Sequence, residues 1–136
     1  MKLKLFTALL LAFGLAGCAA TGNAPVQRDH IFRVYFASGQ YKLANADQMT
    51  VLAAAKAYKK DGQEVIVGGH TDSTGNASFN TSLSKQRAVE VTAALVEAGV
   101  PRERIVARYF GEAALLKMTG DETTERSNRR VIMIVR

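Results

Sequence analysis

Residues 64–99 read EVIVGGHTDSTGNASFNTSLSKQRAVEVTAALVEAG, and the fold turns on them. Glu64 to His70 is apolar through its middle, the pattern of a strand buried inside a sheet. Thr71 to Asn76 is small and polar, and Gly75 with Asn76 permits a sharp reversal. From about Ala77 to Ala98, Leu83, Ala88, Val91, Leu95 and Ala98 recur at roughly helical spacing. Gly99 and Pro101 then stop the helix, since one favours a left-handed cap and the other cannot continue the ladder. The segment is a strand, a tight turn and a helix folded back onto the strand.

The same reading extends outward. Ile31-Phe32-Arg33-Val34-Tyr35-Phe36 is aromatic and β-branched, which predicts a first strand. A helix is expected after it, with Asn45 as the cap and Gln48 giving a capping-box-like start. Ala53-Ala54-Ala55 has high helix propensity. Met49, Leu52, Ala53 and Ala57 are expected to form its apolar stripe, and Asp61-Gly62 to end it. Ile105–Phe110 and Arg130–Val135 read as further strands. Gly111–Asn128, polar towards its end, reads as a loop with a short helical turn. The order β-α-β-α-β-β predicts an α/β (α+β) sandwich, with two helices covering one face of a mixed four-stranded sheet. No internal repeat or low-complexity tract interrupts it.

The N-terminus has a different character. Met1-Lys2-Leu3-Lys4 is a positive start, and Leu5–Leu15 is an almost unbroken apolar run, short for a membrane span. The pattern is that of an export signal over residues 1–17. It closes on Leu15-Ala16-Gly17-Cys18, which resembles a bacterial lipoprotein lipobox and implies cleavage before Cys18 and acylation of it. Cys18 is the only cysteine, so no intrachain disulfide is available. By resemblance to enterobacterial lipoproteins, Ala19 rather than Asp after the cysteine implies the outer membrane. Residues 18–30 then form a lipidated tether. From Ala19 to about Asp29 the chain could reach roughly 35–40 Å when extended. Residues 31–136 make one domain with a modest core.

The whole chain carries a formal charge of +6, and loss of Lys2 and Lys4 would leave +4. Lys and Arg are scattered among acids, with Arg126, Arg129 and Arg130 the only tight cluster. With few aromatics and an export signal, nucleic acid is excluded as a partner. An anionic polymer or surface outside the cytoplasm fits better.

Candidate site residues gather around the central strand. Thr71 and Asp72 follow its carboxyl end, where ligand crevices open in α/β sheets. Asn80, Leu83 and Arg87 are spaced i, i+3, i+7 and share a helix face. Asp72 and Arg87, fifteen positions apart, can therefore converge. Such a pair can grip a small zwitterion, the acid taking an ammonium and the Arg a carboxylate. It can equally be a simple surface salt bridge. Enzymatic chemistry finds no support: the serines have no Ser/His/Asp arrangement, and Gly68-Gly69 lacks the Lys-Ser/Thr of a phosphate loop. His70 and Asp72 have no third ligand at metal spacing, so neither metal nor cofactor is expected. His70 reads instead as a strand-end residue that orients the turn.

Gly69-His70-Thr71-Asp72-x-x-Gly75, Asn80-x-x-Leu83-Ser84-x-x-Arg87-Ala88, Gly99-Val100, Gly111-Glu112 and Asn128-Arg129-Arg130-Val131 occur in one order. Together they resemble the OmpA-like peptidoglycan-binding domain over roughly Ile31 to Val135. With the lipobox in front, the arrangement is similar to peptidoglycan-associated lipoproteins. The resemblance implies that Asp72 holds the ammonium and Arg87 the carboxylate of the diaminopimelate side chain in the stem peptide. It implies that Thr71, Asn80 and Leu83 line the pocket, and that Asn128 with Arg129 closes its rim. Two departures stand out. Phe36-Ala37-Ser38-Gly39 replaces a loop in which the family often has an acid or Gly. Ala113-Ala114-Leu115-Leu116 replaces the Pro often found after Gly-Glu, and packs under the long loop or forms a partner patch. The expected partners are peptidoglycan, the outer membrane through the lipid and envelope proteins. The rivals are a periplasmic module recruiting an envelope, secretion or motility complex, and an unrecognised wall hydrolase.

Overall fold

The structure is a computed structural model that describes residues 28–59 and 62–136. Cys18, the signal-like run, most of the tether and Asp61 lie outside the described residues. Six main elements follow in order: β1 (His30–Tyr35), α1 (Asn45–Ala57), β2 (Val65–Gly69), α2 (Ala77–Glu97), β3 (Ile105–Tyr109) and β4 (Arg130–Val135). Short 3-10 turns at Arg102–Arg104 and Arg126–Asn128 precede the last two strands.

The strands lie in the order β1-β4-β2-β3. β4 runs antiparallel to both β1 and β2, whereas β2 and β3 are parallel and joined through α2. The expected two-helix, mixed four-stranded sandwich is what forms. Register fixes the two faces, because directly paired residues point the same way. Phe32 pairs with Met133 and Val34 with Val131. Val65 pairs with both Val135 and Ile105, and Val67 with Met133. These side chains meet Val51 and Ala54 of α1 and Ala88, Val91 and Leu95 of α2 in one apolar cluster. Burying each large aliphatic side chain contributes about 1.5–3 kcal/mol, so this layer supplies most of the driving force.

The helices differ in how well periodicity located them. α2 runs as expected and is capped by Asn76, whose side chain accepts from the Phe79 amide at 2.8 Å. α1 is rotated from the expected stripe. Val51 and Ala54 are its buried residues, while Met49 is 67% exposed and Leu52 41% exposed. Its N-cap is Ala44, with no side-chain cap; Asn45 is the first helical residue and accepts instead from the Gln48 side chain at 3.5 Å. The alanine run made two faces almost equally apolar, and docking onto β1 chose the one carrying Val51. The strand boundaries shift slightly, with His30 opening β1 and Phe36 just beyond it.

One glycine sets how closely α2 lies on the sheet. A Cβ at Gly69 would stand 2.1 Å from the Ser84 carbonyl oxygen, so only glycine lets this helix turn touch β2. Ser84, fully buried, donates to the Thr81 carbonyl at 2.8 Å and accepts from the Gly111 amide at 2.9 Å. The Thr71 amide donates to the Gly111 carbonyl at 2.9 Å. These bonds lock the start of α2 against the turns that follow β2 and β3.

Candidate functional site

The charged residues collect just past the carboxyl end of β2. Asp72 is 4% exposed and its carboxylate is fully engaged on one oxygen. Oδ2 accepts from Arg129 Nη1 at 2.9 Å and from the Glu125 amide at 3.2 Å. Oδ1 accepts only the Thr74 amide, at a longer 3.3 Å. The direct ion-pair partner of Asp72 is therefore Arg129, 57 positions away in sequence, and not Arg87. Arg129 also donates through Nε to the Phe36 carbonyl at 2.9 Å.

Arg87 is fully buried. Its Nε donates to the Gln40 carbonyl at 2.8 Å, Nη1 to the His70 carbonyl at 2.8 Å and Nη2 to the Ala37 carbonyl at 3.1 Å, and the Phe36 ring lies 5.1 Å beneath it. The turn after β1, where the chain departs from the family pattern, thus seals the guanidinium with backbone oxygens. Burial pushes the Arg87 pKa down to about 10, against the raising effect of nearby Asp72; Arg129 pushes it the same way as burial. Asp72 thus stands beside two guanidiniums, one in direct contact and one held by backbone oxygens.

The remaining expected residues surround this cluster with different degrees of commitment. Asn80 donates to Glu112 Oε2 at 2.5 Å and to the Asp72 carbonyl at 3.4 Å, bridging α2 and the turn after β3. Thr71 is buried, with its hydroxyl unpartnered. Leu83 is 5% exposed yet stands outside the main apolar cluster, on the site side of α2. Asn128 is wholly occupied elsewhere: its Oδ1 accepts from the amides of Leu116 and Lys117 at 2.8 and 2.9 Å, and Nδ2 donates to the Lys117 carbonyl at 2.9 Å. It shapes the long loop from behind, whereas Arg129 faces the carboxylate.

Several organising residues had little signal in the sequence. Ser73 Oγ donates to the Gly120 carbonyl at 2.7 Å and accepts from the Thr123 amide at 3.2 Å, fastening residues 119–125 over the turn after β2. Gly75 donates its amide to Glu122 Oε2 at 3.0 Å in the same clasp. A serine in a polar turn gives no hint of a partner about fifty positions on. Leu115 is half-buried and Leu116 is 54% exposed, so the replaced Gly-Glu segment packs with one leucine and presents the other.

His70 sits on the opposite face of the sheet, stacked on Phe110 with ring centroids 4.9 Å apart. Burial, and then the Arg130 charge, lower its pKa to about 4, so it is neutral at ordinary pH. Among the described residues no group of three His, Cys, Asp or Glu could hold a metal, and no helix is long and apolar enough to cross a membrane.

The fold and the cluster define a class: a two-layer α/β domain with a mixed sheet, whose buried acid and guanidiniums gather beyond the central strand. Residues 35–130 match the OmpA family, and the chain belongs to it. It is 33% identical over 109 residues to a peptidoglycan-associated lipoprotein of Legionella pneumophila, covering 79% of this chain and 62% of that protein. It is 43% identical over 70 residues to outer membrane protein A of Serratia marcescens, covering 52% of this chain and 19% of that one. The chain thus spans under two thirds of both relatives. The crystal structure of the peptidoglycan-associated lipoprotein from Burkholderia pseudomallei superposes with a TM-score of 0.71 at 25% identity, over 77% of this chain and 90% of that one.

Proposed function

We propose that this protein is an outer-membrane lipoprotein, anchored through Cys18, whose OmpA-family domain binds peptidoglycan noncovalently through the diaminopimelate of the stem peptide. The observation that carries the reading is the gathering of Asp72, Arg87 and Arg129 at the end of β2. Diaminopimelate brings an ammonium and a carboxylate on one side-chain end. The ammonium docks on Asp72 Oδ1, the less engaged oxygen, while Arg129 keeps Oδ2. The carboxylate is taken by Arg87 when the Ala37–Gln40 turn gives up its carbonyl contacts. Thr71, Asn80 and Leu83 line the pocket, Arg129 forms its rim, and Asn128 sets the backbone that carries Arg129. Charge-assisted bonds contribute about 1.5–3 kcal/mol each, so a single site binds modestly. A lipid anchor beside a polymer of repeated epitopes raises the effective concentration and makes the link persistent. No catalytic step is needed for this role.

Sedimentation with purified, protein-free sacculi tests the reading. The protein should pellet, millimolar meso-diaminopimelate should release it, and lysine, which lacks the second carboxylate, should not. Asp72→Asn and Arg87→Lys, checked by circular dichroism for intact fold, should remain in the supernatant. Folded variants that pellet like the parent, or release by lysine as well, would refute the clamp. Muropeptides appearing in the tube would indicate a hydrolase instead. A Cys18→Ser protein that still fractionates with membranes would refute the anchor.

A further inference from the structure

Both helices cover the same face of the sheet, and the register shows what the other face carries. One row runs straight across all four strands as Ile31, Ile134, Ile66 and Val106. The next row is Arg33, Ile132, Gly68 and Arg108. The third begins Tyr35 and Arg130, and continues to His70, whose amide donates to the Arg130 carbonyl at 2.9 Å, with Phe110 beyond it. Ile31 is 48% exposed, Val106 37% and Phe110 41%, although these side chains lie on a continuous apolar band. At about 4.8 Å between strands, the apolar row is roughly 14 Å long, with Arg33 and Arg108 about as far apart at its two ends.

On the strands of this face the charged side chains are Arg33, Arg108 and Arg130, and past the apolar row Glu64, which exchanges backbone bonds with Arg136 at 2.9 and 3.1 Å, is already taken by the Arg136 side chain at 2.6 Å. Among the described residues, Arg33, Arg108, Arg126 and Arg130 take part in none of the ion pairs. Arg126 lies over the Tyr35 ring at 5.7 Å. Arg130, 4% exposed, has only carbonyl partners at 3.4 and 3.3 Å, and its Nε has none. An apolar band bordered on one side by the unpaired guanidiniums of Arg33 and Arg108 complements a surface that is apolar along one stripe and carboxylate-bearing beside it.

We propose that this sheet face docks an acidic amphipathic helix of a partner protein, which supplies a third layer and carboxylates for Arg33 and Arg108. Residues 1–27 contain no Asp or Glu and so offer no such carboxylates from this chain. A second copy laid face to face would bring arginines against arginines. A bilayer is the poorer match, because Ile66, Ile132 and Ile134 are half-buried within the sheet and do not project into an acyl layer. The surface lies on the opposite face from Arg87 and α2, so it stands or falls independently of the peptidoglycan reading.

The test is methyl NMR on the full chain, titrated with a synthetic amphipathic helical peptide of leucine, alanine and glutamate. Methyl shifts should move at Ile31, Ile66, Val106 and Ile134, and not at Met133 on the covered face. Arg33→Glu with Arg108→Glu, both exposed and outside the site, should weaken binding at least tenfold and create binding to the lysine counterpart of the peptide. Absence of binding, shifts elsewhere, or affinity untouched by the charge reversal would overturn the proposal. So would equal shifts with phosphatidylglycerol vesicles, or concentration-dependent shifts of the protein alone, which would assign the face to lipid or to a second copy.

Discussion

Replacing Asp72 by Asn tests whether the acid at the site also holds the fold together. The carboxylate pairs with Arg129 at 2.9 Å, with side chains only 6% and 10% exposed. Asparagine keeps the shape and one oxygen acceptor, so the amides of Thr74 or Glu125 need not lose their partner. What disappears is the charge that compensates Arg129, and with it the raising influence on Arg87. Removing one member of a buried pair costs about 3–5 kcal/mol, because the survivor is left desolvated and unpaired. Arg129 retains its bond to the Phe36 carbonyl, which places the expected loss near the lower end, about 3 kcal/mol. For a domain of this size that is a fall of roughly 12–20 °C in Tm. Urea unfolding of the parent, Asp72→Asn, Arg129→Gln and the double variant would measure it. The double variant should lose little more than either single one, with a coupling of about 2 kcal/mol or more between the two sites. A single-variant loss below about 1 kcal/mol with additive effects would refute the claim that the pair is a buried structural unit. It would also show that Asp72 is free to serve a ligand alone.

Gly69→Ala should destabilise by about 3 kcal/mol, seen in a thermal melt, because its Cβ meets backbone at Ser84 rather than a movable side chain; a change under about 1 kcal/mol would show that α2 can lift off the sheet freely. His70 has a folded pKa near 4 against an unfolded value of 6.5, so the unfolded state takes up its proton first as the pH falls. Stability should therefore be full above about pH 6.5 and decline towards pH 4, and an NMR titration of the imidazole should show its midpoint near the lower value. Asn128→Ala leaves the Leu116 and Lys117 amides without their acceptor, so hydrogen exchange there should accelerate and stability fall by about 1–3 kcal/mol. Unchanged protection at those two amides would contradict it. Asn76→Ala removes the cap of α2 and should cost about 1 kcal/mol in urea unfolding.

The elements whose sequence signal has one physical cause were legible, and those with competing causes were not. β2 and α2 were readable because a buried strand and a strongly patterned helix are separated by a turn of small polar residues that neither element could continue through. α1 was readable as a helix but not in its orientation, since Ala53-Ala54-Ala55 offers two similar faces and only contact with β1 distinguishes them. That Arg87 faces the end of β2 was legible from helix geometry. Its burial was not, because the oxygens that hold it belong to the backbone of Ala37, Gln40 and His70, and a carbonyl carries no sequence signature. The pairing of Asp72 with Arg129 was hidden for a similar reason. Three guanidiniums follow one another closely near β4, and only the register of β4 against β1 and β2 determines which one reaches the carboxylate.

Arg87 is the point at which the energetics of folding meet the binding role proposed for it. A guanidinium held wholly out of water by three carbonyls is costly, and burial lowers its pKa to about 10, against the charged form. The arginine ties α2 to the turn after β1 and to the end of β2, because the Gln40 and His70 carbonyls accept from it. The carbonyl oxygens of Ala37 and Gln40 offset part of the cost and belong to an exposed turn with Gly39 at φ +66°, a segment with few contacts of its own. A carboxylate replacing those two carbonyls would supply a full negative charge where the protein provides only dipoles.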